Sequence, residues 1–185
     1  MEILRSISLY AEGKDMPFLI IGGHAINVYG ISRQTGDLDL MVPLRAKPLW
    51  LELMKKLRYQ EGQSDQRFSR FRAVQLDNWP IDLMYVDDKT FESIYKDSIQ
   101  SDFGPTLARV ISAAHLLILK LHALKYYQEH RFTKDYSDLR ALMIKLDENV
   151  EGEEFKGKCL KYASPQLYER ILLDITHQKK QKVPV

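Results

Sequence analysis

Residues 18–42 read FLIIGGHAINVYGISRQTGDLDLMV, and the order of residue types along this stretch decides the fold. Phe18-Leu19-Ile20-Ile21 is a run of four apolar residues ending in two glycines, the pattern of a short buried strand. Gly22 and Gly23 can turn with positive φ and leave bare N–H groups open to close approach. His24 to Tyr29 has helical spacing, and Gly30 stops it. A strand, a Gly-Gly turn and a helix N-terminus together aim backbone donors at an anion, most often a phosphate. Gly-Gly between a strand and a helix also serves as plain turn chemistry, so the next segment carries the decision.

Asp37-Leu38-Asp39-Leu40-Met41-Val42 reads as a strand with both carboxylates on one face and the leucines on the other. Residues two apart in a strand are separated by roughly 6.6 Å, and a carboxylate binds Mg²⁺ at about 2.0–2.1 Å. Two such groups can therefore bracket ions about 3.5–4 Å apart. An amphipathic strand with a wetted polar face is the plain alternative. Asp is depleted in strands, however, and like charges on one face repel. A third carboxylate has a similar setting. Phe71 to Leu76 and Ile81 to Val86 read as strands joined by a hairpin-type loop, Asp77-Asn78-Trp79-Pro80, and Asp82 stands among apolar residues in the second. Burying it is costly unless it is paired, hydrogen-bonded or on a metal; a capping position at the strand's start is the alternative.

The order Gly22-Gly23, thirteen residues, Asp37-Leu38-Asp39, then a hairpin delivering Asp82 resembles the nucleotidyltransferase superfamily that shares the DNA polymerase β fold. The longer string Gly22-Gly23-His24-Ala25, Tyr29-Gly30, Arg33-x-Thr35-x-Asp37-Leu38-Asp39 is similar to the AbiEii toxin-like nucleotidyltransferases. Lys120-Leu-His-Ala123-Leu124, Arg131, Lys134-Asp135 and Asp138-Leu139 match that family's helical segment, and the likeness covers roughly residues 17–143. One departure stands out: the second turn position is Gly23, where many superfamily members carry Ser.

The resemblance implies an α+β fold, a small mixed-sheet nucleotidyltransferase core over 1–111 with a helical region over 112–185 packed on it. It implies a nucleoside triphosphate as substrate and two divalent cations, Mg²⁺ or Mn²⁺, one on Asp37, Asp39 and Asp82 and the other on Asp37 and Asp39. Asp82 becomes the general base for the acceptor hydroxyl. Gly22, Gly23, Arg33, Thr35 and Lys120 are the expected nucleotide contacts, and Lys120 and Asp135 the expected helical contributors to catalysis. The acceptor implied is RNA, foremost a tRNA end, or a protein hydroxyl, in a toxin-like setting with a cognate antitoxin as partner. Two other classes stay open: a small-molecule, antibiotic-type nucleotidyltransferase, and a non-catalytic antitoxin-like module that keeps the fold.

The residues themselves support several of these roles. Arg33 lies four residues before Asp37, and its planar fork suits a phosphate; a solvated loop residue is the alternative. Read as a helix from Ser112 to Tyr127, positions 116, 117, 120, 123, 124 and 127 share a face, on which Lys120 is the only charge. It either snorkels to water or faces a site. Asp135 shares a face with Leu139, Leu142, Met143 and Leu146; Thr133 would cap this helix, and Asp135 would then sit in its first turn. Asp138 is expected on the exposed face.

With 185 residues, 45% hydrophobic and 28% charged, the chain can bury a real core. A net charge of +2 gives no bulk attraction to nucleic acid. Arg67-Phe-Ser-Arg70-Phe-Arg72 and the basic tail from His177 to Lys182 are local exceptions that could track an RNA backbone; a solvated surface is the equal alternative for the first, and a solvated, frayed terminus the favoured reading of the second. A single cysteine, Cys159, excludes an intrachain disulfide and fits a reducing cytoplasm, and no membrane partner is expected because the longest apolar runs fall far short of ~20 residues. Further expected elements are helices over the first dozen residues, 46–57 and 166–177, a short segment at 91–95 and a strand at 106–111.

Overall fold

Buried apolar runs pair at the centre of a mixed sheet, and polar strands close its edges. The structure, a computed structural model, describes residues 2–74, 79–126 and 129–181, with side chains at all of these except 130, 131 and 177–181. Residues 75–78 of the expected hairpin, Tyr127, the side chain of Arg131 and the basic tail lie outside the described residues. Two compact units divide the chain at residues 112 and 113.

In chain order the first unit runs α1 (Glu2–Ala11), β1 (Leu19–Ile20), α2 (Gly22–Val28), β2 (Leu38–Pro43), a 3₁₀ turn (Leu44–Ala46) and α3 (Lys47–Lys56). It continues with β3 (Tyr59–Ser64), β4 (Phe68–Ala73), β5 (Ile81–Val86), α4 (Asp88–Lys96), β6 (Ile99–Phe103) and β7 (Thr106–Val110). The strands form one sheet in the order β3-β4-β5-β2-β1-β7-β6. β2 is parallel to β5 and β1 to β7, while β1–β2, β3–β4, β4–β5 and β6–β7 are antiparallel.

The central strands are the ones the sequence announces. Leu19, Ile20, Leu38, Leu40, Ile81 and Leu83 are fully buried, as expected for strands covered on both faces. β1 is shorter than the apolar run suggested, because Ile21 already stands as the extended residue before α2. The two strands without a sequence signal, β3 (YQEGQS) and β6 (IQSDF), are the sheet's edges. Edge strands keep polar side chains that discourage pairing with other chains, so they lack the apolar alternation that marks a strand. β4 begins at Phe68 rather than Phe71, burying Ser69 and Phe71. The segment at 91–95 is part of a longer helix, α4, whose N-cap Asp87 accepts from the Thr90 N–H at 3.0 Å.

Trp50, Phe71 and Phe91 are buried to 2% exposure or less in this unit, each phenylalanine contributing about 1.5–3 kcal/mol on burial. Phe18 meets Trp50 edge to face, with centroids 5.8 Å apart.

The second unit is helical: α5 (Ala113–Lys125), α6 (Glu129–Lys145), α7 (Glu153–Tyr162) and α8 (Pro165–Gln181). Ser164 accepts from the Leu167 N–H at 3.2 Å and Pro165 takes the first helical position, where its missing N–H is harmless. Leu116, Leu117, Leu121, Leu124, Leu139, Leu142, Phe155 and Ile171 make the core. The buried stripe of α5 is rotated from the expected one, with Leu121 inside and Ala123 exposed. Cys159 is buried here, and desolvation pushes its thiol up to about 12. Among the described residues no helix is long and apolar enough to cross a membrane.

Candidate active site

The parallel register of β2 and β5 sets Asp39 opposite Asp82, and Asp37 immediately precedes β2. Each of the three carboxylates offers an oxygen within 4.8 Å of the other two. Asp82 is buried; Asp37 and Asp39 are half-buried. The donor set is all hard oxygen, the chemistry of Mg²⁺ or Mn²⁺ rather than of a thiophilic metal. Two oxygens on one Mg²⁺ can stand at most about 4.2 Å apart, so a small side-chain adjustment closes the cluster on an ion. The residues therefore fit the expected metal site.

Gly22 makes this cluster sterically possible. Its φ is +63°, and a Cβ at that position would overlap the Asp39 carboxylate. Gly23 has a separate reason to be small: a Cβ there would collide with the Arg33 guanidinium and with Thr35. The space that a serine would fill at the second turn position is taken in this chain by Arg33 and Thr35.

Those two residues are held by bonds the sequence did not announce. Asn27, on α2, accepts from the Arg33 N–H at 2.8 Å and donates its amide to the Arg33 carbonyl at 2.9 Å. The Thr35 hydroxyl donates to Asp37 Oδ1 at 2.9 Å, so this hydroxyl orients a carboxylate of the cluster. α2 begins with no side-chain cap at Ile21, leaving its first backbone donors to the glycine turn.

Arg70 is the largest departure from expectation. The arginine–aromatic segment could track RNA or be a solvated surface, yet Arg70 stands opposite Asp82 in the β4–β5 pair. There Nε donates to Oδ1 at 2.9 Å and Nη2 to Oδ2 at 2.6 Å. This two-pronged pair is the charge-assisted geometry that makes burial of Asp82 tolerable, and the carboxylate in turn pushes the guanidinium pKa up. Arg70→Ala is expected to lower the stability of the metal-free protein by about 1–3 kcal/mol, below the figure for a fully buried pair because Arg70 is 38% exposed. Thermal unfolding with and without Mn²⁺ checks this, and the deficit should shrink with Mn²⁺ as the cation replaces the lost charge.

In the helical unit Lys120 does not snorkel. Its side chain is 9% exposed, and Nζ lies 2.7 Å from Asp135 Oδ1 and 2.7 Å from Asp138 Oδ2. Asp138, expected on the exposed face, is buried. Thr133 does not cap, because α6 begins at Glu129, and Asp135 lies in its second turn rather than its first. The i, i+3 spacing of Asp135 and Asp138 puts both carboxylates on one helical face toward a single ammonium.

No protein-family model matches the chain, and no curated protein is similar to it in sequence. Solved structures are similar in fold. The antibiotic-resistance factor ANT(2″)-Ia, in complex with adenylyl-2″-tobramycin, aligns with a TM-score of 0.64 at 14% identity, over 87% of this chain and 95% of that one. The lincosamide antibiotic adenylyltransferase LnuA, bound to lincomycin, gives a TM-score of 0.55 at 12% identity, over 76% of this chain and 96% of LnuA. An antigenic nucleotidyltransferase-like protein from Paracoccidioides brasiliensis gives 0.53 at 14% identity, over 88% and 92%. The chain therefore has the fold of the nucleotidyltransferases, a mixed sheet with helices.

Proposed function

We propose that the protein is a metal-dependent nucleotidyltransferase. It moves a nucleoside monophosphate from a nucleoside triphosphate to a hydroxyl acceptor, forming an oxygen–phosphorus bond at the α-phosphate and releasing pyrophosphate. The observation that carries this reading is the triad Asp37, Asp39 and Asp82, gathered by the β2–β5 register on a sheet of nucleotidyltransferase fold.

Asp37, Asp39 and Asp82 would hold two divalent cations, Mg²⁺ or Mn²⁺. Bound there, the cations would lower the pKa of the acceptor hydroxyl and neutralise charge on the triphosphate and the leaving pyrophosphate. Gly22 and Gly23 present bare backbone to the triphosphate, and the Arg33 fork faces a phosphate oxygen pair. Thr35 keeps Asp37 turned by its hydroxyl bond. Asp82 takes the acceptor's proton on a lone pair that the Arg70 hydrogen bonds leave open. Lys120 is proposed as a phosphate-binding cation of the helical unit and Asp135 as the group that orients it, the role their 2.7 Å pair supports.

Two observations favour two acceptor classes. The AbiEii-like string around Gly22 to Asp39 favours a toxin-type enzyme acting on RNA, foremost a tRNA end, or on a protein hydroxyl, restrained by an antitoxin. The near-complete coverage of ANT(2″)-Ia and LnuA favours a small acceptor of the antibiotic type. Label transfer decides between them: protein with Mg²⁺ and each α-³²P nucleoside triphosphate, offered total tRNA, cell protein, tobramycin or lincomycin, beside an Asp37→Asn/Asp39→Asn control. Transfer by the wild type alone establishes the enzyme and its acceptor. Triphosphate binding without transfer to any of them points to an acceptor or partner outside the set, and no metal-dependent binding overturns the reading in favour of a non-catalytic module.

A further inference from the structure

Trp79 lies two residues before β5, the strand that carries Asp82. It precedes Pro80, whose carbonyl accepts from the Leu38 N–H at 2.9 Å, and its own carbonyl accepts from the Tyr59 hydroxyl at 2.9 Å. These two bonds hold the carbonyls of Trp79 and Pro80, three and two residues before Asp82. Trp79 is 37% exposed, while the other tryptophan of the chain, Trp50, is fully buried.

One face of that indole is backed by His24. The two rings are stacked, with centroids 5.0 Å apart and planes 19° apart, and Phe103 meets the imidazole edge-on at 6.5 Å. His24 follows the glycine turn directly, 8% exposed, so the imidazole is a rigid backing beside Gly23, Arg33 and Thr35. Its Nε2 is buried without a hydrogen-bond partner among the described residues. Burial lowers its pKa, with Asp37 and Arg33 both near enough to act on it in opposite senses. A large aromatic ring left more than a third exposed, and stacked on a buried neutral ring three residues before Asp82, is not accounted for by core packing alone. What it does offer is a flat π surface.

We propose that Trp79, backed by His24 on one face, offers its other face as a stacking platform for a nucleobase at the triad. The inference rests on the transferase reading and adds the residue that engages the base. Every base has a π face, so such a platform binds purines and pyrimidines alike, and edge contacts set any preference. The base has two sources, the incoming triphosphate or the terminal nucleotide of an acceptor.

The test uses the full chain and three probes, each with Mg²⁺: inorganic tripolyphosphate, a non-hydrolysable α,β-methylene nucleoside triphosphate, and a short oligoribonucleotide with free hydroxyl ends. Affinities come from calorimetry and stacking from the change in tryptophan fluorescence on binding; both tryptophans emit, but only Trp79 is open to a stacked base, because Trp50 is sealed in the core. The expected result is quenching by the triphosphate and an affinity loss of about 5- to 100-fold in Trp79→Ala, largely restored in Trp79→Phe, with tripolyphosphate binding unchanged. The same pattern with the oligoribonucleotide instead assigns the platform to the acceptor's base. Unquenched wild-type fluorescence, or equal affinities in wild type and Trp79→Ala, overturns the platform while tripolyphosphate binding keeps the transferase reading alive. Failure of all three probes to bind overturns both. The wild-type quenching arm decides the matter even where a substitution disturbs folding.

Discussion

Asp39→Asn is expected to reduce nucleotidyl transfer by at least about 10³-fold and to abolish saturable Mn²⁺ binding while the protein stays folded. Asp39 is the middle member of the cluster: it is in register with Asp82 across the β2–β5 pair and its carboxylate fills the space above Gly22. The amide keeps its size but removes the charge and one of the oxygens that a hard cation needs. Two like charges then remain where three stood, which relieves repulsion in the metal-free protein. Gly22→Ala should reach the same loss by a steric route, because the new Cβ has to displace the Asp39 carboxylate and sits at a φ of +63°. Electron paramagnetic resonance of Mn²⁺ titrations, run beside label transfer and circular dichroism, checks both. A variant that binds Mn²⁺ as the wild type does would remove Asp39 from the metal site.

Lys120→Met is expected to destabilise the protein by about 3–5 kcal/mol, since it removes the ammonium that lies 2.7 Å from each of two buried carboxylates. At this chain length that corresponds to a fall in unfolding temperature of about 10 °C. The compensated variant Lys120→Met/Asp135→Leu/Asp138→Leu should recover most of that stability, because apolar side chains of similar volume replace a buried ion cluster at little or no net cost. Comparing the two separates packing from chemistry. With Lys120 as a phosphate-binding cation, the triple variant is stable and inactive, whereas a stable triple variant that still transfers label assigns the cluster to helix packing alone.

The legible parts of the site were those written into local sequence. Gly22-Gly23 between an apolar run and a helical segment, and Asp37-Leu38-Asp39 with alternate residues apolar, each carry their geometry within a few residues, because turn conformation and strand alternation are local properties. Asp82 was visible as a charge in an apolar strand. Its partner was not. Arg70 meets Asp82 through the register of β4 against β5, and the same segment read alone looked like a basic surface. Asp138 likewise looked exposed until α6 proved to start at Glu129 and to turn that residue toward Lys120.

The sequence by itself determined the α+β class, the central strands, the glycine turn and the three carboxylates, because burial and backbone conformation leave periodic and compositional marks on the chain. Tertiary structure alone decided which charges neutralise one another, why Gly23 has to be small beside Arg33, and that Trp79 stacks on His24. Each of these joins residues distant in sequence or set by strand register, and such pairing is fixed by how separate elements pack and leaves no local signature.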